Sequence, residues 1–153
     1  MADKVFVDSN VLLRFTFSTL DHHEDCRIHL RRLISQRVEL SISGQVIREF
    51  CVQASHPNTF VTTEMNPLSG AQLARWVASF HARFRVLEET AAVHQEFQYL
   101  LQHYPIGGRQ MHDANIVATM LAHSVDALVT LNRVDFLRYQ DRIAVVPPQA
   151  DPA

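Results

Sequence analysis

Short β-branched runs alternate with longer amphipathic stretches along the whole chain, and no other feature constrains the fold as much. Val5–Val7, Val38–Ser43, Arg85–Glu88, Ala127–Thr130 and Ile143–Val146 are too short and too β-branched for helices and read as strands. Between them lie segments with helical spacing. Asp21–Ser35 carries Cys26, Leu30, Leu33 and Ile34 near one face. Ser43 is placed to cap a helix whose apolar side holds Val46, Ile47, Phe50, Cys51 and Ala54. Ser69 opens a helix with Leu73, Trp76, Val77 and Phe80 on one side, and Thr90–His103 directs Val93, Phe97, Leu100 and Leu101 inward. Pro105–Gln110 breaks the pattern and reads as a mobile loop. Asp113 then opens a helix running to His123. Strands that alternate with helices predict an α/β domain with a parallel sheet covered by helices.

At 153 residues and 47% apolar, the chain is sized for one domain with one core. The predicted domain spans 1–147, followed by a flexible tail, 148–153. A net charge of −2 announces no nucleic-acid or membrane partner, so attraction to a polyanion requires a local patch or a bound cation. Cys26 and Cys51 do not make a disulfide framework and are expected as reduced thiols in a cytoplasmic protein. No apolar run approaches the length of a membrane span, and the N-terminus does not read as a signal peptide.

Within that frame the acids need explaining. Asp8 ends a buried strand, where it loses water and where no turn or helix start obviously requires it. Ligands of parallel sheets bind beyond the strands' carboxyl ends, near the point where strand order reverses. Asn132 and Asp135 follow the fourth strand, and Glu49 lies about one and a half turns into the helix after the second. Asp113 is the acid that spacing alone does not place. If Asp8, Glu49, Asp113 and Asp135 converge with the Asn132 amide, their repulsion calls for a hard divalent cation, Mg²⁺ or Mn²⁺. A cation so held lowers the pKa of bound water and serves phosphoryl chemistry without a Ser, His or Cys nucleophile. Each acid has a plainer reading. Asp113 can serve a helix start, Glu49 can be a solvated helix residue, and Asp135 can cap a turn.

Four segments carry a resemblance. Val5-Phe6-Val7-Asp8-Ser9-Asn10-Val11-Leu12, Ser43-Gly44-Gln45-Val46-Ile47-Arg48-Glu49-Phe50, His112-Asp113-Ala114-Asn115 and Val129-Thr130-Leu131-Asn132-Arg133-Val134-Asp135-Phe136 resemble, in order and spacing, the motifs of PIN-domain ribonucleases. In length and single-domain form the chain looks most like VapC-type toxins of toxin–antitoxin pairs. The resemblance implies a three-layer α/β/α domain with a central, mostly parallel sheet of about five strands. It implies a Mg²⁺- or Mn²⁺-dependent endoribonuclease, dimeric and held inactive by a cognate antitoxin. Asp8, Glu49 and Asp113 match the acidic ligand positions. The fourth position is filled either by Asn132, through a neutral carbonyl, or by Asp135. Thr130 matches a hydroxyl beside the site, and Asn10 lies within the first motif.

Other constellations carry less. His22, Cys26 and His29 share a helical face with Asp25 beside them, and an ordinary helix explains them better than a zinc site. Arg109 is either a phosphate-binding arm or a solvated loop residue. Two further functions compete with the ribonuclease. One is an inactive PIN module that binds RNA or a protein, which Asn132 favours. The other is a phosphohydrolase with Asp8 as nucleophile. Asp8-Ser9-Asn10 is a poor form of the Asp-x-Asp such enzymes use, and no lysine follows Asp113.

Overall fold

A computed structural model describes residues 2–150. Five strands, β1 (Lys4–Val7), β2 (Glu39–Ser43), β3 (Arg85–Leu87), β4 (Ala127–Val129) and β5 (Ala144–Val146), form one sheet in the order β3-β2-β1-β4-β5. Every pairing is parallel. β1 is central, with Phe6 opposite Ser41 of β2 and Leu128 of β4. That position explains why Val5, Phe6 and Val7 are all buried.

The helices are α1 (Ser9–Thr16), α2 (His23–Ser35), α3 (Gly44–Ala54), α4 (Gly70–Arg83), α5 (Ala91–His103), α6 (Gln110–Ala122) and the single turn α7 (Arg133–Phe136). The chain steps from β1 to β2 to β3 in one direction and then returns across β1 to β4. Right-handed crossovers therefore put α1–α4 on one face and the α5–α6 hairpin on the other, giving the expected PIN-like α/β/α layering. Strand order reverses between β1 and β4.

On the first face, Phe17 stacks on Phe50 at 5.8 Å and meets Phe60 and Trp76 edge-on, while Phe80 packs edge-on against Phe50 at 4.7 Å. The Trp76/Phe80 stripe thus belongs to the core. On the second face, the His123 ring bonds the Glu88 carbonyl at 2.8 Å and ties the end of α6 to the exit from β3.

Several expectations need correction. Residues 9–16 form a helix that periodicity did not reveal, because Val11, Leu12 and Leu13 are consecutive and all buried. Asp8 is its N-cap, so a helix start does require it. α6 begins at Gln110, so Asp113 is its fourth residue, within the first turn, rather than opening it. The loop before it is a bonded turn. Gly107 N–H donates to Gln110 Oε1 at 3.0 Å, Gly108 takes a φ of +56°, and Arg138 donates to the Pro105 carbonyl. Leu101 faces outward, 40% exposed, while Leu100 is buried. The expected tail, 148–153, lies partly outside the described residues. Within them, Pro148 is buried and Gln149 N–H donates to His29 Nδ1 at 3.2 Å. No helix among the described residues is long and apolar enough to cross a membrane.

Candidate active site

The reversal of strand order opens the sheet's carboxyl rim between β1 and β4, where a cavity of about 350 Å³ lies. Asp8, Glu49 and Asp113 line it, together with Ser9, Asn10, Arg14, Gln53, Leu131 and Asn132. Three local events deliver the acids. β1 ends at Val7 and the chain turns straight into α1, so Asp8 stops at the rim. Its own N–H still pairs with the Val129 carbonyl of β4 at 3.1 Å. β2 runs directly into α3 under the Ser43 cap, whose hydroxyl accepts from Val46 N–H at 3.4 Å, and Glu49 points back over the rim. α6 feeds β4 and must run antiparallel to it, so its first turn, with Asp113, starts at the carboxyl rim. That geometric requirement supplies the placement which spacing along the chain left open.

Asp8 is 4% exposed, and both of its oxygens accept hydrogen bonds. Its Oδ1 accepts from Ser9 N–H at 2.7 Å. Its Oδ2 accepts from the Thr130 hydroxyl at 2.7 Å and the Asn10 amide at 3.2 Å. Thr130 Oγ1 in turn accepts Asn132 N–H at 3.0 Å, and Asn10 Oδ1 accepts Leu131 N–H at 3.1 Å. Thr130 and Asn10 therefore orient Asp8 and pin the chain leaving β4 beside it. Glu49 is held at both oxygens, by the Ser9 hydroxyl at 2.9 Å and by the Gln45 amide at 2.9 Å.

Burial pushes the Asp8 carboxyl up to about 6, against the bonds from Thr130 and Ser9, with the Glu49 charge adding to the rise. Asp113 is pushed to about 7, first by burial and then by the charges of Asp8, Asp135 and Glu49; only Arg138 opposes them. Among the described residues no lysine or arginine forms an ion pair with Asp8, Glu49 or Asp113. The donor set is all oxygen and short of positive charge, which fits a hard divalent cation. Among the described residues no three His, Cys, Asp or Glu side chains stand close enough together to hold a metal ion between them. Mg²⁺ suits such a site, because it binds through one or two carboxylates and keeps several waters.

The remaining candidates divide. Asn132 is exposed but lines the cavity, whereas Asp135 does not line it and reaches Asp113 only through its charge. Arg109 is the exposed residue preceding α6 and is not among the cavity's lining residues. Sequence reasoning did not single out Arg14, Gln45, Gln53, Asn115 or Arg138. An arginine at the sixth position after Asp8 was a usable signal for Arg14, had α1 been recognised. The uncharged amides carry no signal without their partners. Of the soft-ligand trio, Cys26 is buried with its thiol pushed up to about 12, as an inward-facing helix residue.

No curated protein sequence matches the chain. Among solved structures it is similar to a toxin–antitoxin complex chain from Klebsiella pneumoniae, at 21% identity and a TM-score of 0.64, covering 96% of this chain and 99% of that one. It is likewise similar to a chain of VapBC-1 from nontypeable Haemophilus influenzae, at 20% identity and a TM-score of 0.62, covering 94% and 97%. VapC20 of Mycobacterium tuberculosis, described as a sarcin–ricin loop cleaving toxin, aligns at 17% identity and a TM-score of 0.56, covering 81% and 86%. These likenesses concern the fold. The sequence profile of the PIN domain matches residues 5–142. With that pattern running from the first strand to just short of the fifth, the chain belongs to the PIN domain family.

Proposed function

We propose that the protein is a Mg²⁺- or Mn²⁺-dependent endoribonuclease, the toxin of a toxin–antitoxin pair acting in the cytoplasm. The observation that carries this reading is the convergence of Asp8, Glu49 and Asp113 on one cavity at the strand-order reversal, without an ion-paired cation among the described residues. Asp8 and Asp113 would hold the cation, with Glu49 and the Asn132 carbonyl completing its surroundings. When bound, the cation supplies charge neutralisation at a phosphate oxygen and a lowered pKa for water. Asp135, outside the cavity, contributes field rather than a ligand on this reading.

The chain's own residues orient the reactants. Thr130 and Asn10 fix Asp8. Among the described residues, Arg14 is the only cationic side chain lining the cavity. Its Nε pairs with Asp21 at 3.3 Å and its Nη1 donates to the Asn10 carbonyl at 3.2 Å, which leaves Nη2 free to meet a phosphodiester oxygen. Arg109 is exposed and not among the residues lining the cavity, so on this reading it meets RNA beyond it. A cognate antitoxin and a second copy of the chain complete the proposed partners, in keeping with the toxin–antitoxin complexes among the similar folds.

Two measurements test the reading. Asp8→Asn and Asp113→Asn should each lower Mn²⁺-dependent RNA cleavage by at least about 100-fold with an unchanged circular dichroism spectrum. Cleavage by either variant at the wild-type rate would reject the assignment. Arg14→Ala should raise KM for RNA more than it lowers kcat. The phosphohydrolase alternative is disfavoured because no lysine is among the described residues that line the cavity, so none steadies a phosphate beside Asp8. An inactive binding module would bind no Mn²⁺ in calorimetry.

A further inference from the structure

Gln45, in the first turn of α3, bonds within its own helix and across to α6. Its Nε2 donates to Glu49 Oε1 at 2.9 Å, within α3, and to the His112 carbonyl at 2.8 Å, across to the first turn of α6. Its Oε1 accepts from Asn115 Nδ2 at 2.8 Å, again on α6. A carboxylate and a carbonyl can only accept, so the partners themselves dictate which end of the amide faces which. Among the described residues these are the only hydrogen bonds that join α3 to α6. The two helices belong to opposite faces of the sheet, and they bring to the rim two carboxylates, Glu49 and Asp113, whose charges repel. A neutral group bonded to both helices can hold these carboxylates at a fixed spacing when no cation is present. Gln45 is half-buried there, and it touches Glu49 directly and the residue next to Asp113.

Resting on the ribonuclease reading above, we infer that Gln45, oriented by Asn115, is a positioning residue that sets the Glu49–Asp113 spacing and thereby the cation affinity of the site. It contacts neither the cation nor RNA. Its amide acts as a brace: three bonds on one planar group fix its rotation, and losing one loosens the others. Asn115 acts only through Gln45, so its removal should add nothing once Gln45 is gone. Outer partners of this kind typically contribute about 10- to 100-fold in metal affinity.

The test is Mn²⁺ titration by calorimetry on the metal-free full-length protein, alongside cleavage kinetics. Gln45→Met keeps length and bulk but removes every bond. It should weaken Mn²⁺ by about 10-fold or more and lower kcat, with KM for RNA unchanged. Asn115→Ala should give a smaller loss, and the double variant should match Gln45→Met alone. Wild-type Mn²⁺ affinity in Gln45→Met, or additive losses in the double variant, would overturn the brace while leaving the ribonuclease reading intact. If wild-type and Asp8→Asn give the same heats, the cation site itself fails and the brace falls with it. Should Gln45→Met fold poorly, Asn115→Ala decides, since wild-type Mn²⁺ affinity there contradicts the proposal equally.

Discussion

Asp8 accepts three hydrogen bonds, from Ser9, Asn10 and Thr130, and its carboxyl is nonetheless pushed up to about 6 by burial. Asp113 rises further, to about 7, because it also faces other acids. An acid whose folded pKa lies above its unfolded value binds its proton more tightly in the folded state. Such a group favours folding at low pH, and stability is lost as pH rises from about 4 through 7. The metal-free protein should therefore melt at progressively lower temperature across that range. Asp113→Asn should flatten the slope and melt higher than wild type at pH 8, read by thermal denaturation in a chelator. A wild-type curve that rises with pH would contradict the assignment. At this scale the acids were legible from the sequence, because carboxylates beside buried runs are conspicuous. Ser9 and Gln45 were not, because a hydroxyl or amide shows its purpose only when its partner is known.

The elements reveal a different limit. α3 and α4 were readable because each carries a serine cap followed by a spaced apolar stripe. Ser69 completes a capping box, accepting from Gln72 N–H at 3.3 Å while its own N–H donates to Gln72 Oε1 at 2.8 Å. Ser69→Ala should cost about 1 kcal/mol in urea unfolding and leave cleavage unchanged, since α4 contributes no residue lining the acid cavity. α1 escaped notice because it is only eight residues long and its apolar residues Val11, Leu12 and Leu13 are consecutive, so the polar face shared by Asn10 and Arg14 is too short to set a period. α6 was placed three residues late because Arg109 precedes it without a side-chain cap. That shift moves Asp113 from the helix start to its fourth residue, still within the first turn, where it does not cap the helix.

Across the molecule, the aromatic cluster couples the core to the site. Phe50 follows Glu49 on α3 and is fully buried between Phe17 and Phe80. Phe50→Ala should cost about 3–5 kcal/mol, a large share of the roughly 5–15 kcal/mol that holds a domain of this size. Cleavage should fall with it at temperatures where the wild type is unaffected, measured beside chemical denaturation. Saturating Mn²⁺ should act in the opposite direction, since a ligand at about 100 times its Kd adds about 2.7 kcal/mol to the folded state. The resulting rise in Tm should vanish in Asp8→Asn.

The strand and helix pattern, the helix-covered parallel sheet and the identity of the acids were written into the sequence, because periodicity and local charge act over a few residues. Strand order was not, and strand order decides where the rim opens. The tertiary structure alone brought Asp113 to Asp8, since a helix feeding a parallel strand must begin at that strand's carboxyl end. It alone separated Asn132, which lines the cavity, from Asp135, which acts through its charge. And it alone gave the strand-end Asp8 its full set of partners, from residues up to 122 positions away, because desolvation and hydrogen bonding are properties of space rather than of the chain.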